Sequence, residues 1–195
     1  MDALDRAARA VLDRIHALDD GIEGTRPLLI ALDGRAAAGK TTLATRLAPV
    51  LHAYVLHMDD YFLRPAQRTP ARLSVPGGNV DRERFLSEAL LPLSRGEAFD
   101  CRAFDCQTGA YKPSVHVPPQ RVCIVEGSYS CHPALAPYYD LRVFLTVAPD
   151  EQLRRIRARN GEERAAVFAA RWIPLEEAYF AACRTAETCD LVLPL

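Results

Sequence analysis

A few short stretches of this sequence bring together residue types that can do chemistry. Residues 34–42, Gly34-Arg35-Ala36-Ala37-Ala38-Gly39-Lys40-Thr41-Thr42, lie within "LDGRAAAGKTT" and fit the pattern G-x-x-x-x-G-K-[ST]. Glycines in such a loop let the backbone turn tightly, so successive N–H groups point inward at phosphate oxygens. Lys40 would reach the β- and γ-phosphates of a nucleotide, and the Thr41 hydroxyl would ligate Mg²⁺. Farther on, "HMDDYF" carries the adjacent carboxylates Asp59 and Asp60. Asp59 can accept the proton of an attacking hydroxyl or hold a water on Mg²⁺, while Asp60 reads as the cap of a following helix. In "CIVEG" an apolar run ends on Glu126, the candidate to orient Mg²⁺ or its water, and Gly127 leaves room for a ligand. The stretch 150–172 holds Arg154, Arg155, Arg157, Arg159, Arg164 and Arg171. Arg155 and Arg159 are four apart, hence on one helical face, and suit the stabilisation of charge on a transferring phosphoryl group. Arg164 and Arg171 extend that set, and Gly161 is placed to act as a hinge for closure.

Elements must hold these residues in place. "PLLIALDG" ahead of the loop is an apolar run suited to a buried parallel strand, and "KTTLATRLAPVL" behind it has apolar residues at helical spacing. The helix adds its N-terminal dipole to the anion site. Residues 53–58, 121–127, 141–147 and 190–195 read as further strands, several of them separated by helical patterns. The expected architecture is an open, mostly parallel α/β sheet in a single domain spanning 1–195. Residues 1–20 form an amphipathic helix through Leu4, Val11, Leu12, Ile15 and Leu18. Residues 64–119 are insertions on one side: an irregular Pro-, Gly- and Arg-rich excursion to 80, a helix over 81–95, and a short hairpin or loop over 99–119. Residues 150–172 are the lid region. In such sheets ligands bind beyond the carboxyl ends of the strands, which places the chemistry just after Asp33, Met58, Val125 and Val147.

Composition narrows the function. The 195 residues are 49% hydrophobic and 25% charged, with a net charge of −1, so no basic surface argues for nucleic acid. Lys40 and Lys112 are the only lysines, which makes Lys40 hard to dismiss as surface decoration. No apolar run approaches the ~20 residues that would span a bilayer, and the acid-bearing N-terminus is unlike a signal peptide. The six cysteines, Cys101, Cys106, Cys123, Cys131, Cys183 and Cys189, form no C-x-x-C pair. They read as reduced structural thiols of a cytoplasmic protein. A homo-oligomer is compatible with these patterns. A GTPase switch would need an N-K-x-D base-reading motif, and neither lysine follows an asparagine.

The stretches "GRAAAGKTT", "HMDDYF", "GGNVDRERF", "AFDCQTG", "CIVEG" and "RWIPLEEAYF" resemble the uridine kinase family in order and spacing, from about Leu28 to the C-terminus. The chain looks most similar to the bacterial uridine kinase-like branch with a short lid. Wider relatives include phosphoribulokinase, pantothenate kinase and nicotinamide riboside kinase. The resemblance implies a P-loop NTPase of the kinase type, its parallel strands in the order 2-3-1-4-5, with a short Arg-rich lid. It implies transfer of the γ-phosphate of ATP, with Mg²⁺, to a primary hydroxyl of a nucleoside-like small molecule. By position it makes Asp59 the catalytic base, assisted by Lys40, Arg155 and Arg159, and Thr41, Glu126 and Asp59 the magnesium residues. Asp81 would meet the acceptor's sugar hydroxyls, with Tyr61 and Phe104 as further acceptor contacts. The loop departs from the family form G-x-[ST]-G-[SA]-G-K-[ST] at Ala36, Ala37 and Ala38, which removes a hydroxyl contact to phosphate. Phe104 and Gly109 stand where uridine kinases place a Tyr and a His around the pyrimidine. Kinases of other ribosides, pantothenate-like alcohols or sugar phosphates, and a non-catalytic nucleotide-binding regulator, are the alternatives.

Overall fold

The computed structural model describes residues 2–19 and 26–195. Along the chain its strands are β1 (Leu28–Gly34), β2 (Tyr54–His57), β3 (Phe99–Cys101), β4 (Phe104–Asp105), β5 (Ala110–Tyr111), β6 (Val115–Val117), β7 (Val122–Glu126), β8 (Leu141–Thr146) and β9 (Leu191–Pro194). One sheet takes five of them in the order β2-β7-β1-β8-β9, with every pair parallel. Counted over those five alone, the order is 2-3-1-4-5. The strands are as parallel, and nearly as long, as their apolar runs suggest. Met58 is the exception, since it leaves β2 to begin a 3₁₀ turn over Met58–Tyr61.

Side chains alternate across the sheet, as the pleat requires. Leu29 and Ala31 of β1, Cys123 and Val125 of β7 and Phe144 of β8 enter one core. That core is completed by Phe85, Leu90, Leu93, Tyr129, Tyr179 and Phe180. Ile30 and Leu32, Ile124, Leu141, Val143 and Leu145 enter the other, against Leu43 and Leu47 of the helix Lys40–Leu51. The N-terminal helix Ala3–Asp19 closes this second core with Ala7, Ala8, Val11 and Ile15. Residues 1 and 20 of the expected N-terminal segment lie outside the described residues. Among those described, no helix is long and apolar enough to cross a membrane.

The insertions have more structure than their composition suggests. Short helical turns at Pro65–Gln67 and Pro70–Leu73 break up residues 64–80. Residues 99–117 nest one antiparallel ladder, β4 with β5, inside another, β3 with β6. Two long helical segments, 82–94 and 162–183, contain π-turns at Leu86–Leu90 and Phe168–Trp172. Each π-turn is followed two residues later by proline, Pro92 or Pro174. Proline cannot donate to the carbonyl four residues back and its ring crowds that carbonyl, so the wider turn relieves a clash without breaking the helix.

Candidate active site

β1 ends in Asp33 and Gly34, and both identities are set by what surrounds them. A Cβ on Gly34 would stand 2.0 Å from the Leu145 carbonyl oxygen, at φ +130°, so only glycine lets β1 turn into the loop beside β8. Asp33 is fully buried and accepts from the amides of Gly34 (2.6 Å), Tyr129 (3.1 Å) and Cys131 (2.9 Å) and from the Tyr179 hydroxyl (2.8 Å). Burial pushes its pKa up, while the Cys131 amide, Lys40 and the other donors pull it back. One side chain thus fastens the loop's start to the segment after β7 and to the helix Ile173–Cys183.

Lys40, at the start of its helix, folds its ammonium back over the loop. Nζ donates to the carbonyls of Gly34 (2.6 Å) and Arg35 (2.9 Å) and to Ser128 Oγ (3.4 Å). The next residue, Thr41, donates through Oγ1 to Glu126 Oε2 at 3.1 Å. The second oxygen of Glu126 meets His57 Nδ1 at 2.5 Å, and this hydrogen bond is the main reason the His57 pKa is raised. A hydroxyl and two carboxylates, those of Glu126 and Asp59, therefore stand beside the glycine-rich loop. That all-oxygen set suits Mg²⁺, which takes few protein ligands and fills the rest of its shell with water and phosphate. Among the described residues no three His, Cys, Asp or Glu side chains gather into a metal site made of protein alone.

These groups open onto one cleft of about 670 Å³. The loop contributes Ala36, Ala37, Gly39, Lys40, Thr41 and Thr42, and the strand ends contribute Asp59 and Glu126. Asp59 is itself open to water but stands within the concave wall, where surrounding protein displaces solvent. That desolvation raises its pKa. Lys40 opposes the rise, and the negative charges of Glu126 and Asp60 add to it. Asp60, expected to cap a helix, shares the first turn of Met58–Tyr61 with Asp59, whose cap position is His57 without a side-chain bond. Gly127 also has a different reason from the one expected. Its missing Cβ makes room for Met58, whose Cβ would lie 2.8 Å away, and the residue also lines the cleft.

Beyond β8, the helix Pro149–Asn160 turns its arginines two ways. Arg155 and Arg159 line the cleft, and Arg155 also donates to the Ala37 carbonyl at 3.2 Å. Arg154 and Arg157 stand outside the lining, where Arg157 pairs with Glu162 and Arg154 shares Glu151 with Arg155. Arg164 and Arg171 join the lining from the next helical segment, together with Phe168 and Trp172. Gly161 separates the two helices at φ +82°, with nothing within 4 Å of where its Cβ would be.

The expected acceptor contacts are not in this lining. Tyr61 is 1% exposed, packed edge-on against Phe85 and under the Arg84 guanidinium. Asp81 is buried as the N-cap of Arg82–Phe85, and it accepts from the Arg84 amide and from Gln67. Phe104 is buried against Tyr111. Gly109 supplies the positive φ, +70°, of the turn joining β4 to β5. The insertion instead reaches the cleft through Arg68, Leu73, Asn79 and Cys106, beside Phe62 from the segment just before it.

Three contributors escape a reading of motifs alone: His57, Ser128 and Glu176. Glu176 is 5% exposed and accepts from the Ala36 amide (3.0 Å) and from Ser128 Oγ (2.6 Å). Its neighbour Glu177 pairs with Arg35. Burial raises the Glu176 pKa, and Lys40 opposes that rise. The available signal was an acid at the same helical phase as the buried Tyr179 and Phe180.

No protein-family model matches the chain. It is 30% identical over 149 residues to uridine kinase-like protein 4 of Arabidopsis thaliana, covering 71% of this chain and 31% of that protein. It is 29% identical over 137 residues to inorganic pyrophosphatase TTM2 of the same plant, covering 66% and 18%. The chain thus spans less than a third of these curated relatives. A solved structure from Silicibacter, described as a "putative fructose transport system kinase", aligns over 100% of both chains with a TM-score of 0.74 at 24% identity. Sheet order and glycine-rich loop define a P-loop protein of the kinase type. Over 149 residues the chain is similar in sequence to a plant protein named uridine kinase-like.

Proposed function

We propose that this chain transfers the γ-phosphate of ATP to a primary hydroxyl of a small, nucleoside-like or polyol acceptor. The observation that carries this reading is the convergence of Lys40, Asp59, the Thr41–Glu126 pair and Arg155 and Arg159 on one cleft. The loop amides and Lys40 grip the β- and γ-phosphates. The acceptor oxygen bonds to the γ-phosphorus, the bond from that phosphorus to the β,γ-bridging oxygen breaks, and ADP departs. Asp59 takes the hydroxyl proton, and its pKa, raised by desolvation, makes its carboxylate a stronger base than an ordinary one. Arg155 and Arg159 stabilise charge as it moves onto the transferring group and the leaving oxygen. Thr41 and Glu126 would hold Mg²⁺, aided by Asp59, and the ion would supply positive charge to the phosphates; His57 fixes the Glu126 carboxylate in place.

An acceptor-dependent release of ADP tests this function. Lys40→Ala should abolish it, because the γ-phosphate loses its main point charge. Near-normal turnover in that variant would overturn the assignment. ATP binding without acceptor-dependent ADP, across a broad panel of alcohols, would favour a non-catalytic nucleotide sensor.

A further inference from the structure

The acceptor side of the cleft carries one cation, and its circumstances differ from those of its neighbours. Arg68 is the only arginine of residues 64–119 in the cleft lining. Three of the insertion's other arginines are committed to carboxylates: Arg72 holds Glu83 through both terminal nitrogens, Arg82 approaches the same Glu83, and Arg84 holds Glu88. Arg64, bonded to Gln67, and Arg102, over the Tyr111 ring, make no ion pair among the described residues but lie outside the lining. Arg68 makes no ion pair among the described residues. Its Nε donates to the Leu63 carbonyl at 2.9 Å and one terminal nitrogen reaches Cys106 Sγ at 3.6 Å. The guanidinium is therefore oriented by neutral partners and keeps its charge for something else.

The rest of this wall offers little to a base edge. Phe62 and Leu73 are apolar, and the Asn79 side chain is engaged with the Tyr129 hydroxyl. Asp59 lines the same cleft and offers carboxylate oxygens that accept from a hydroxyl, while the ammonium of Lys40 is held by the loop carbonyls. A hydroxyl suits Asp59, and an anion suits Arg68.

We infer that the acceptor is a small hydroxylated anion, whose carboxylate or phosphate is gripped by Arg68 while its primary hydroxyl meets Asp59. This rests on the phosphotransfer reading and deepens it, because it replaces a neutral nucleoside with an anionic polyol as the substrate class. A guanidinium suits either anion by offering paired N–H donors.

The test compares matched acceptors, each with a free primary hydroxyl: glycerol, glycerate and glycerol phosphate; fructose, gluconate and fructose phosphate; and uridine. Within a carbon frame, kcat/KM should be higher for an anionic member than for the neutral one. Whether the carboxylate or the phosphate leads tells which anion is used. Arg68→Ala should shrink that preference by about tenfold to a hundredfold through KM, the range of a lost charged hydrogen bond, and Arg68→Lys should restore part of it. Neutral acceptors or uridine preferred by the wild type, or an anion preference unchanged in Arg68→Ala, overturns the inference while leaving phosphotransfer intact. If no acceptor gives ADP, phosphotransfer fails instead. Thermal-shift titration of the same anions then decides the inference separately: stabilisation of the wild type that Arg68→Ala loses upholds an anion site, and equal or no stabilisation overturns it.

Discussion

Asp59 lines the cleft with Lys40 and Glu126, whereas Asp60, one residue on, does not. Adjacent residues of one acid type are thus separated by which way a single 3₁₀ turn points them. Asp59→Asn should lower kcat by about 10²–10⁴-fold, the usual contribution of a base, while ATP affinity measured by calorimetry stays close to wild type. Asp60→Asn should be milder, and the opposite ranking would move the base to Asp60. Glu176 invites a second prediction at this scale. Its carboxylate holds the Ala36 amide and the Ser128 hydroxyl, and Ser128 in turn touches Lys40. Glu176→Ala leaves both donors without their partner and lets the loop relax, so ATP affinity should fall about tenfold or more. Tighter ATP binding in that variant would mean the carboxylate repels phosphate and does not position the loop.

The helix Pro149–Asn160 works as a sorting device. Its 3.6-residue period sends Arg155 and Arg159 to the cleft and leaves Arg154 and Arg157 outside it, with Glu151 shared between Arg154 and Arg155. Alanine at 155 or 159 should depress kcat about tenfold or more with a smaller rise in the KM for ATP, since their contacts strengthen as charge moves in the transition state. Arg154→Ala is the control expected to behave as wild type, and wild-type kcat in all three would return the helix to an ordinary solvated face. The π-turn at Phe168–Trp172 connects the helix Glu162–Val167 to the helix that carries Glu176, so cleft-lining Arg171 and Trp172 and the loop support share one continuous element. The insertion shows how element context can overrule residue type. Asp81, Tyr61 and Phe104 are chemically able to meet an acceptor, yet a helix cap and two core positions claim them. Gly109→His, together with Phe104→Tyr, would therefore strain a turn at φ +70° and disturb a packed ring before it improved any base contact.

Stability belongs to the whole molecule, and His132 links it to pH. The ring stacks on Tyr179 with centroids 6.1 Å apart and planes within 4°, and Nδ1 accepts from the Ala134 amide at 3.1 Å, which requires the neutral imidazole. Burial first, and then the charge of Arg82, lower its pKa from 6.5 to about 4. Between those values the unfolded chain binds a proton that the folded chain excludes, so stability rises with pH across that window and this contribution is complete above 6.5. Allowing for a ring that is only partly buried, the effect should be about 1–2 kcal/mol. Urea unfolding across the window should show this slope in the wild type and a flatter one in His132→Phe, which keeps a stacking ring without the proton. Parallel slopes would remove His132 as the cause.

Contiguous features were legible in the sequence. The loop from Gly34 to Thr42, the apolar runs that became the five sheet strands, and the i, i+4 arginines of the helix Pro149–Asn160 each depend on neighbours along the chain, where spacing fixes geometry. Spacing also marked Asp59, Glu126 and Lys40, because strand ends of a parallel sheet meet at one edge. What the sequence alone did not decide were meetings between distant segments. Glu176 reaches Ala36 across 140 positions, and His57 reaches Glu126 across 69. The burial of Tyr61, Asp81 and Phe104 and the freedom of Arg68 were settled in the same way. A periodic pattern tells which face of an element is apolar, but which partner covers that face is decided only when the whole chain packs.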